Sequence, residues 1–365
     1  MTSIQKTALL YVRLVRLARL TVINLFSKLL FRNNNDCNKI LLNRDGAFGD
    51  SIVALPAINI VRQNNPSAQI DLLSINNNGV SFNDIGLDTK LINNLYIINK
   101  KQRHETLKIL KKEKYDLFIQ IPQNIGIYKS LRNMFLVRFY LNIKNAFGWD
   151  SGRVKSFMRL QKENSEIPTE TNRFIHVLHK HHFEGTKKYG ILNRSPEDIK
   201  LVEFINKTPP VAFLIGGKLQ PKKWPLYHWV ALAKMIGDEQ RILIIGGEGE
   251  KGDAAYIVSN TLNTINYCGQ LSIPELYYVL SKTKVAISLD TGAMHLCDAA
   301  GTRQIVLFST RDLSNKWYPN NPLSAVIEKV VHCSFCLKTE CSNNICMSNI
   351  SPEEVYNKMN ELLST

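Results

Sequence analysis

The chain has 365 residues, of which 44% are apolar and 21% charged, which excludes a disordered chain and predicts two α/β domains rather than one. No stretch approaches the roughly 20 uncharged apolar residues that a membrane-spanning helix needs. The formal net charge is +15, and an excess of this size predicts an anionic partner.

The positive charge is concentrated in the N-terminal half. Residues 1–44 carry eight basic and one acidic side chain, and residues 100–160 carry fourteen and four, for net charges of +7 and +10. No nucleic-acid motif with aromatic residues among the basic ones occurs, so nucleic acid is not expected as a partner. An anionic membrane surface or a phosphorylated glycolipid accounts for the same charge.

Residues 7–32 predict a long amphipathic helix, within an N-terminal segment placed at residues 1–36. Arg13, Arg16 and Arg19 recur at three-residue spacing and interrupt the apolar core that a secretory signal peptide would keep whole. Two interpretations stay open. The helix lies in the membrane interface with its arginines toward phosphates, or it packs on the protein's own first domain.

A strand, a glycine turn and a helix follow, and this is how a Rossmann-type unit begins. The strand is Lys39–Asn43, and the turn contains Gly46 and Gly49 and ends at Asp50. Further strands are predicted at Ile70–Ile75, Asn94–Ile98 and Leu117–Ile121. Their alternation with helical patterns indicates a parallel sheet in an N-terminal domain at residues 37–195.

The same pattern starts again in the second half of the chain. The predicted strands are Val211–Ile215, Arg241–Ile245, Val285–Ser288 and Gln304–Phe308, with a helix over about Leu226–Ile236. They indicate a second Rossmann-like domain at residues 196–350, and residues 351–365 form a closing helix with Ser351 as its N-cap. Two such domains predict a cleft onto which their glycine turns open.

One loop in the second half has the composition of an anion site. Asp290, Thr291 and Gly292 follow a strand and open a helix, whose free N–H groups can bind a diphosphate, and His295 lies one turn further. Lys222 follows another strand and can add a cation. From spacing alone, an alternative stays equally open, in which Asp290 or Thr291 only caps the helix and His295 is packed. Dinucleotide, P-loop and Asp-x-Asp motifs are missing, which favours metal-free binding of a nucleotide.

Two clusters raise the question of a metal site. The gaps after the opening C-x₂-C pair of the cysteine cluster match no standard zinc motif, so reduced cysteines in a compact turn are favoured, with metal binding left open. The histidines are interpreted as a solvated basic face. The clusters are Cys333, Cys336, Cys341 and Cys346, and His176, His179, His181 and His182.

Four segments of the chain resemble glycosyltransferase family 9, the ADP-heptose:lipopolysaccharide heptosyltransferases. They read RDGAFGDSIVALPAI, GGKLQPKKWPLYHWVALA, SLDTGAMHLCDAAGTRQIVLFSTRD and CSFCLKTECSNNICM. The resemblance extends from about Lys39 onward and leaves the N-terminal helix outside. It implies an α/β fold of GT-B type, in which two Rossmann-like domains with parallel sheets face each other across a cleft.

The resemblance also implies roles for individual residues. Asp50 matches the catalytic base, which removes a proton from an acceptor hydroxyl as that oxygen attacks the anomeric carbon. Without the resemblance, Asp50 would be interpreted as the N-cap of the following helix. Lys222 matches a lysine that contacts the diphosphate. The other residues that match donor-binding positions are Glu248, Asp290, Thr291, Gly292 and His295.

The implied reaction is inverting transfer of heptose from ADP-heptose to a lipopolysaccharide-core or related anionic glycolipid acceptor, with no cofactor and no metal. The implied location is cytoplasmic, peripheral at the inner face of the cytoplasmic membrane. Gly216, Gly217 and Lys218 stand where family members often carry small hydroxyl residues, so the donor sugar stays open. Two alternatives remain: a transferase that uses another nucleotide sugar for another surface glycan, and a non-catalytic nucleotide-sugar-binding module.

Overall fold

The computed structural model describes residues 18–19, 21–32, 37–75, 82–88, 90–98, 101–122, 126–149, 168–191 and 195–364. The chain divides into two compact units. The first consists of Met1–Asn83 with Leu87–Gly190, and the second of Asp84–Gly86 with Ile191–Thr365.

Strands and helices alternate in the first unit, and its sheet is parallel, with strand order β3-β2-β1-β4-β5. The strands are β1 (Lys39–Asn43), β2 (Gln69–Ile75), β3 (Asn94–Ile98), β4 (Leu117–Gln120) and β5 (Asn145–Phe147). The helices up to residue 190 are α1 (residues 21–30), α2 (Phe48–Asn64), α3 (Phe82–Ile85), α4 (Arg103–Glu113), α5 (Gly126–Phe135) and α6 (Glu170–His179). A π-helical turn over Leu136–Tyr140 continues α5.

The second unit repeats this plan with a parallel sheet of order β11-β10-β9-β6-β7-β8. Its strands are β6 (Val211–Leu214), β7 (Ile242–Ile245), β8 (Thr264–Asn266), β9 (Val285–Leu289), β10 (Gln304–Phe308) and β11 (Ser324–Glu328). Its helices are α7 (Ile199–Lys207), α8 (Leu226–Ile236), α9 (Lys251–Ser259), α10 (Ile273–Ser281), α11 (Gly292–Ala300), α12 (Ile345–Ser348) and α13 (Pro352–Ser364). Short 3-10 turns cover Gln220–Lys222 and Glu248–Glu250.

The central strands are buried along their whole length and mostly apolar, because helices cover both faces of a parallel sheet. All four residues of β4, β6 and β7 are buried, and so are all five of β9 and β10. The core of the second unit also holds Trp224 and Trp229, and the Trp224 indole N–H donates to the Ile350 carbonyl at 3.0 Å. This bond ties the loop after β6 to the segment that precedes α13.

The N-terminal helix packs on the first unit through α1. Ile23 and Phe31 belong to the core of that unit, and the Phe31 ring stacks on Trp149 with 6.0 Å between ring centroids. Packing on the protein's own domain therefore applies to residues 21–31. The helix predicted over residues 7–17, with Arg13 and Arg16, lies outside the described residues. No helix in the described ranges has the length and apolar character needed to cross a bilayer.

Each sheet has a point where the strand order reverses. In the first unit β1 lies between β2 and β4, and in the second β6 lies between β7 and β9. Ligands of open α/β sheets bind at the carboxyl ends of the strands beside such a reversal. The gaps between β1 and β4 and between β6 and β9 are therefore the positions where functional side chains are expected, one in each unit.

Candidate active site

Asp50 lies in the first turn of α2, directly after the loop that leaves β1. Ala47 is the N-cap, and Asp50 is the third residue of the helix, so the interpretation of Asp50 as the N-cap itself is wrong. Its Oδ2 accepts the Ala47 N–H at 3.0 Å, and its Oδ1 accepts a hydrogen bond from Arg44 Nη2 at 3.2 Å. The carboxylate is still 33% exposed. It is therefore fixed in orientation and open to a reactant.

Gly46 allows the loop to close over the carboxylate. A Cβ added at Gly46 would overlap the Cβ of Asp50. Any larger residue would push Asp50 away from Ala47 and Arg44, so glycine is required here for the position of the carboxylate.

Arg44 orients Asp50 through a hydrogen bond. The sequence pattern did not identify this arginine as a functional residue. Its side chain is 2% exposed, and Nη1 donates to the Pro122 carbonyl at 2.6 Å, directly beyond the end of β4. The guanidinium carbon lies 4.7 Å from the centre of the Phe174 ring. Arg44 therefore spans the strand reversal between β1 and β4.

A second ion pair completes this buried group. Arg173 Nη2 donates to Glu170 Oε2 at 2.6 Å, and Glu170 is itself buried. Burial lowers the pKa of the Arg44 guanidinium, while the carboxylates of Asp50 and Glu170 act in the opposite direction. The two carboxylates thus offset part of the cost of burying a cation at this point, and the pKa stays lowered overall.

In the second unit, Lys222 and Asp290 meet at the reversal between β6 and β9. Asp290 follows β9 and is buried, and its Oδ2 lies 2.5 Å from Lys222 Nζ. The same ammonium lies 3.3 Å from the Asp290 carbonyl oxygen. The lysine side chain is 17% exposed. The pair presents one cation beside the start of α11.

The N-terminus of α11 has unused hydrogen-bonding groups beside this pair. Thr291 is the N-cap, but its side chain makes no cap hydrogen bond. Its Oγ1 is buried and has no hydrogen-bond partner in the described part of the chain. Gly217, after β6, comes close to it, since an added Cβ would lie 3.8 Å from Thr291 Cγ2. The hydroxyl and the first N–H groups from Gly292 onward form a set of donors suited to an anion.

His295 and Glu248 differ in exposure: His295 is buried in α11, and Glu248 lies at the surface. His295 is buried one turn into α11, with its ring centroid 6.1 Å from that of Trp317. Glu248 is on the 3-10 turn after β7, is 71% exposed and pairs with Lys251 at 2.7 Å. Within the described ranges, no ion pair joins it to Lys222.

The neighbouring lysines separate into different environments. Lys223 Nζ lies 3.3 Å from Glu250 and 3.1 Å from Asp253. Burial lowers the pKa of Lys223, and these two carboxylates more than offset that effect, so it is raised overall. Lys218 is exposed and has no ion pair among the residues that the structure describes. Of the three lysines after β6, Lys222 is the one that reaches the loop after β9.

The metal hypotheses find no support in the side-chain arrangement. Across the described ranges, no three His, Cys, Asp or Glu side chains are grouped to hold a metal ion. Cys341 Sγ donates to the Asn343 carbonyl at 3.1 Å, and none of the four C-terminal cysteines is in a disulfide. The interpretation of the histidines as one solvated face is wrong for His181, which stacks on Phe147 at 3.8 Å; burial lowers the pKa of His181.

A carboxylate thus lies at the strand reversal of one Rossmann-like unit, and a cation lies beside a helix N-terminus at the strand reversal of the other. The sequence model described as glycosyltransferase family 9 (heptosyltransferase) matches residues 103–346, more than half of the chain. The protein belongs to this family of glycosyltransferases.

Two curated relatives are heptosyltransferases. The chain is 24% identical over 169 residues to lipopolysaccharide heptosyltransferase 2 of Escherichia coli K12, an alignment that covers 43% of this chain and 48% of that protein. It is 21% identical over 282 residues to lipooligosaccharide heptosyltransferase 2 of Haemophilus influenzae, covering 69% of this chain and 78% of that protein. The chain thus spans about half the length of the first relative and more than two thirds of the second.

Solved structures share the fold over almost the whole chain. A glycosyltransferase of family 9 from Veillonella parvula superimposes with a TM-score of 0.67 at 17% identity, covering 90% of this chain and 97% of the other. The ADP-heptose lipopolysaccharide heptosyltransferase II of E. coli gives a TM-score of 0.63 at 17% identity, covering 89% and 98%. These likenesses confirm the predicted fold class, two parallel α/β sheets in an architecture of GT-B type.

Proposed function

We propose that the protein is an inverting glycosyltransferase that moves a sugar from a nucleoside diphosphate, with ADP-heptose as the donor. The observation that carries the proposal is the Lys222–Asp290 pair beside the N-terminus of α11, at the strand reversal of the second unit. The similar proteins support this donor. The two curated relatives described above are named as heptosyltransferases, and one similar solved structure is named for ADP-heptose.

The donor site would act through charge stabilisation. As the bond to the anomeric carbon breaks, negative charge accumulates on the leaving diphosphate. Lys222 provides a cation, and the Thr291 hydroxyl and the N–H groups that start α11 provide neutral donors. Within this proposal Asp290 positions Lys222, and Glu248 and His295 contribute to nucleoside binding. These donors need no bound metal to stabilise the leaving group.

Asp50 would act as the general base. One of its oxygens is held by the Ala47 N–H and the other by Arg44, and the carboxylate keeps an exposed edge. It accepts the proton of the acceptor hydroxyl while that oxygen attacks the anomeric carbon from the face opposite the leaving diphosphate, which inverts the configuration.

For the acceptor we propose an anionic, lipid-linked glycan of the lipopolysaccharide-core type, met at the inner face of the cytoplasmic membrane. The net charge of +10 over residues 100–160 supports this choice. The relatives named for lipopolysaccharide and lipooligosaccharide transfer support it as well.

A ligand screen tests the donor assignment. ADP-heptose at about a hundred times its Kd should raise the melting temperature by about 5 °C, because binding to the folded state alone stabilises it. Adding EDTA should leave this shift and the transfer rate unchanged. A UDP-hexose that gives the larger shift would replace ADP-heptose as the donor. Binding without transfer to any core glycolipid would make the protein a binding module, and loss of binding in EDTA would contradict the metal-free site.

Substitution of the ion pair tests where the diphosphate binds. Lys222→Ala should weaken ADP binding about ten- to a hundredfold, the range expected for losing a charge-assisted hydrogen bond. Asp290→Ala should weaken it too, because Lys222 loses its buried partner. Isothermal titration with ADP measures both. Lys218→Ala is the matched control, since Lys218 is exposed on the same loop, and should bind normally. Unchanged affinity in Lys222→Ala would move the diphosphate elsewhere.

A further inference from the structure

The exposed apolar side chains of the first unit are concentrated on two helical segments. They are exposed by 44% to 76%, and we call them the apolar surface: Leu25, Leu29, Tyr128, Phe135 and Phe139. In the described part of the first unit, the one other large apolar side chain that is exposed is Ile109 on α4.

Aromatic contacts connect the two segments that carry the apolar surface. Tyr128, Phe135 and Phe139 recur at intervals of seven and four residues along α5 and its π-helical turn, which places them on one side. The Phe135 and Phe139 rings stack with centroids 5.6 Å apart. Phe135 also contacts Phe26 of α1 at 6.2 Å, and this contact joins the two segments.

Packing within the unit does not require the outward side of α1. Ile23 and Phe31 anchor that segment in the core, and Phe26 packs against the same core. Leu25 and Leu29, one helical turn apart, remain 53% and 71% exposed. A single exposed leucine is ordinary, but a contiguous apolar surface with a polar rim marks an interaction site.

The charges on the two segments that carry the apolar surface have one sign. Residues 21–32 and 126–144 contain no Asp or Glu. Arg138 lies over the Phe139 ring at 5.7 Å, so a cation directly borders the exposed aromatic ring. The basic residues of the two segments are Lys28, Arg32, Lys129, Arg132, Arg138 and Lys144.

We propose that the apolar surface docks the first unit on an anionic phospholipid membrane. Its apolar side chains enter the boundary between headgroups and acyl chains, and its basic rim contacts the headgroup phosphates. A second copy docked symmetrically would bring six cations against six cations, which disfavours a dimer through this surface. The inference deepens the membrane location given under the proposed function, and it assigns the contact to α1, α5 and the π-helical turn.

Substitutions test the proposal better than truncation, because removing residues 1–33 would also remove Ile23 and Phe31 from the core. The surface variant is L25S/L29S/F139S, and a charge variant is K129E/R132E. The matched control, I199S/L262S/V330S, changes three apolar side chains of the second unit that are 70% to 80% exposed. Co-sedimentation of the full chain is measured with phosphatidylcholine vesicles, with and without about one third phosphatidylglycerol, at low and high salt.

The unchanged protein should bind the anionic vesicles at low salt and bind more weakly at high salt. Burial of one leucine or phenylalanine contributes about tenfold in affinity, and one cation near the surface about fivefold. The surface and charge variants should each lose more than about tenfold, and the control should stay within about twofold. The shift in melting temperature with ADP should match that of the unchanged protein in all three variants, which separates this result from failure of the donor assignment.

Three outcomes would overturn the proposal. The unchanged protein fails to sediment with anionic vesicles, or the surface variant sediments as well as the control. In the third, light scattering shows a dimer that the surface variant abolishes while lipid binding is unchanged, so that a second copy covers the surface. If the surface variant does not fold, the charge variant decides, and full vesicle affinity in K129E/R132E contradicts the membrane contact.

Discussion

Asp50→Asn is expected to lower the turnover number at least about a hundredfold and to leave donor affinity near that of the unchanged protein. Asparagine keeps the size of the side chain, and its carbonyl oxygen can still accept the Ala47 N–H. The start of α2 should therefore be preserved. The amide cannot take the proton of the acceptor hydroxyl, so the loss should fall on the chemical step.

Initial rates at saturating donor and acceptor, together with titration of ADP, separate these two quantities. Asp45→Asn is the matched control, because it removes a carboxylate from the same loop five residues earlier. It should keep most of the turnover. If Asp50→Asn turned over like the unchanged protein, Asp50 would have no part in proton transfer and would act only at the start of α2.

Arg44→Ala is expected to lower the free energy of unfolding by about 2–4 kcal/mol, because it leaves the buried Pro122 carbonyl without its donor and opens a cavity. The substitution removes the donors to Asp50 and to the Pro122 carbonyl and leaves space beside the Phe174 ring. Arg44→Lys keeps the charge but cannot bridge both acceptors with a planar fork, so its loss should be smaller.

Urea unfolding measures these differences. Arg132→Ala is the control, because Arg132 is an exposed arginine of the same unit and should change stability by less than about 0.5 kcal/mol. A change below about 1 kcal/mol in Arg44→Ala would contradict the structural importance of the buried pair. Turnover should fall along with stability in Arg44→Ala, since Asp50 loses one of the two groups that orient it.

Most strands were predictable from the sequence, but three of the four edge strands, β5, β8 and β11, were not. Lys39–Asn43, Asn94–Ile98 and Gln304–Phe308 match their predictions to the residue, because each is an apolar run between polar breaks. β5 and β8 have three residues each, and β11 has a single buried residue. The three-residue strands are too short for a distinctive pattern, and β11 has only three apolar residues between a serine and a glutamate.

The site was predictable in its parts but not in its pairings. No spacing rule connects Lys222 with Asp290, 68 residues apart, and the ion pair depends on the strand order of the second sheet. Arg44 was missed because an arginine after a strand is usually solvated. Without the family resemblance Asp50 would be interpreted as the N-cap, three residues from the actual N-cap Ala47, because helix ends are not defined to the residue by sequence.

The reversed strand order also determines the order in which the strand pairs of each sheet can form during synthesis. β1 is central, yet its pairing of Ile40 with Leu117 must wait until β4 has been made. In the second unit, β6 pairs Val211 with Val285 and waits in the same way for β9. Such distant parallel pairings are slow to close. Until then a nascent chain exposes one open edge of a strand that is buried in the finished sheet. In the finished protein the same two late junctions bring Arg44 to Pro122 and Lys222 to Asp290.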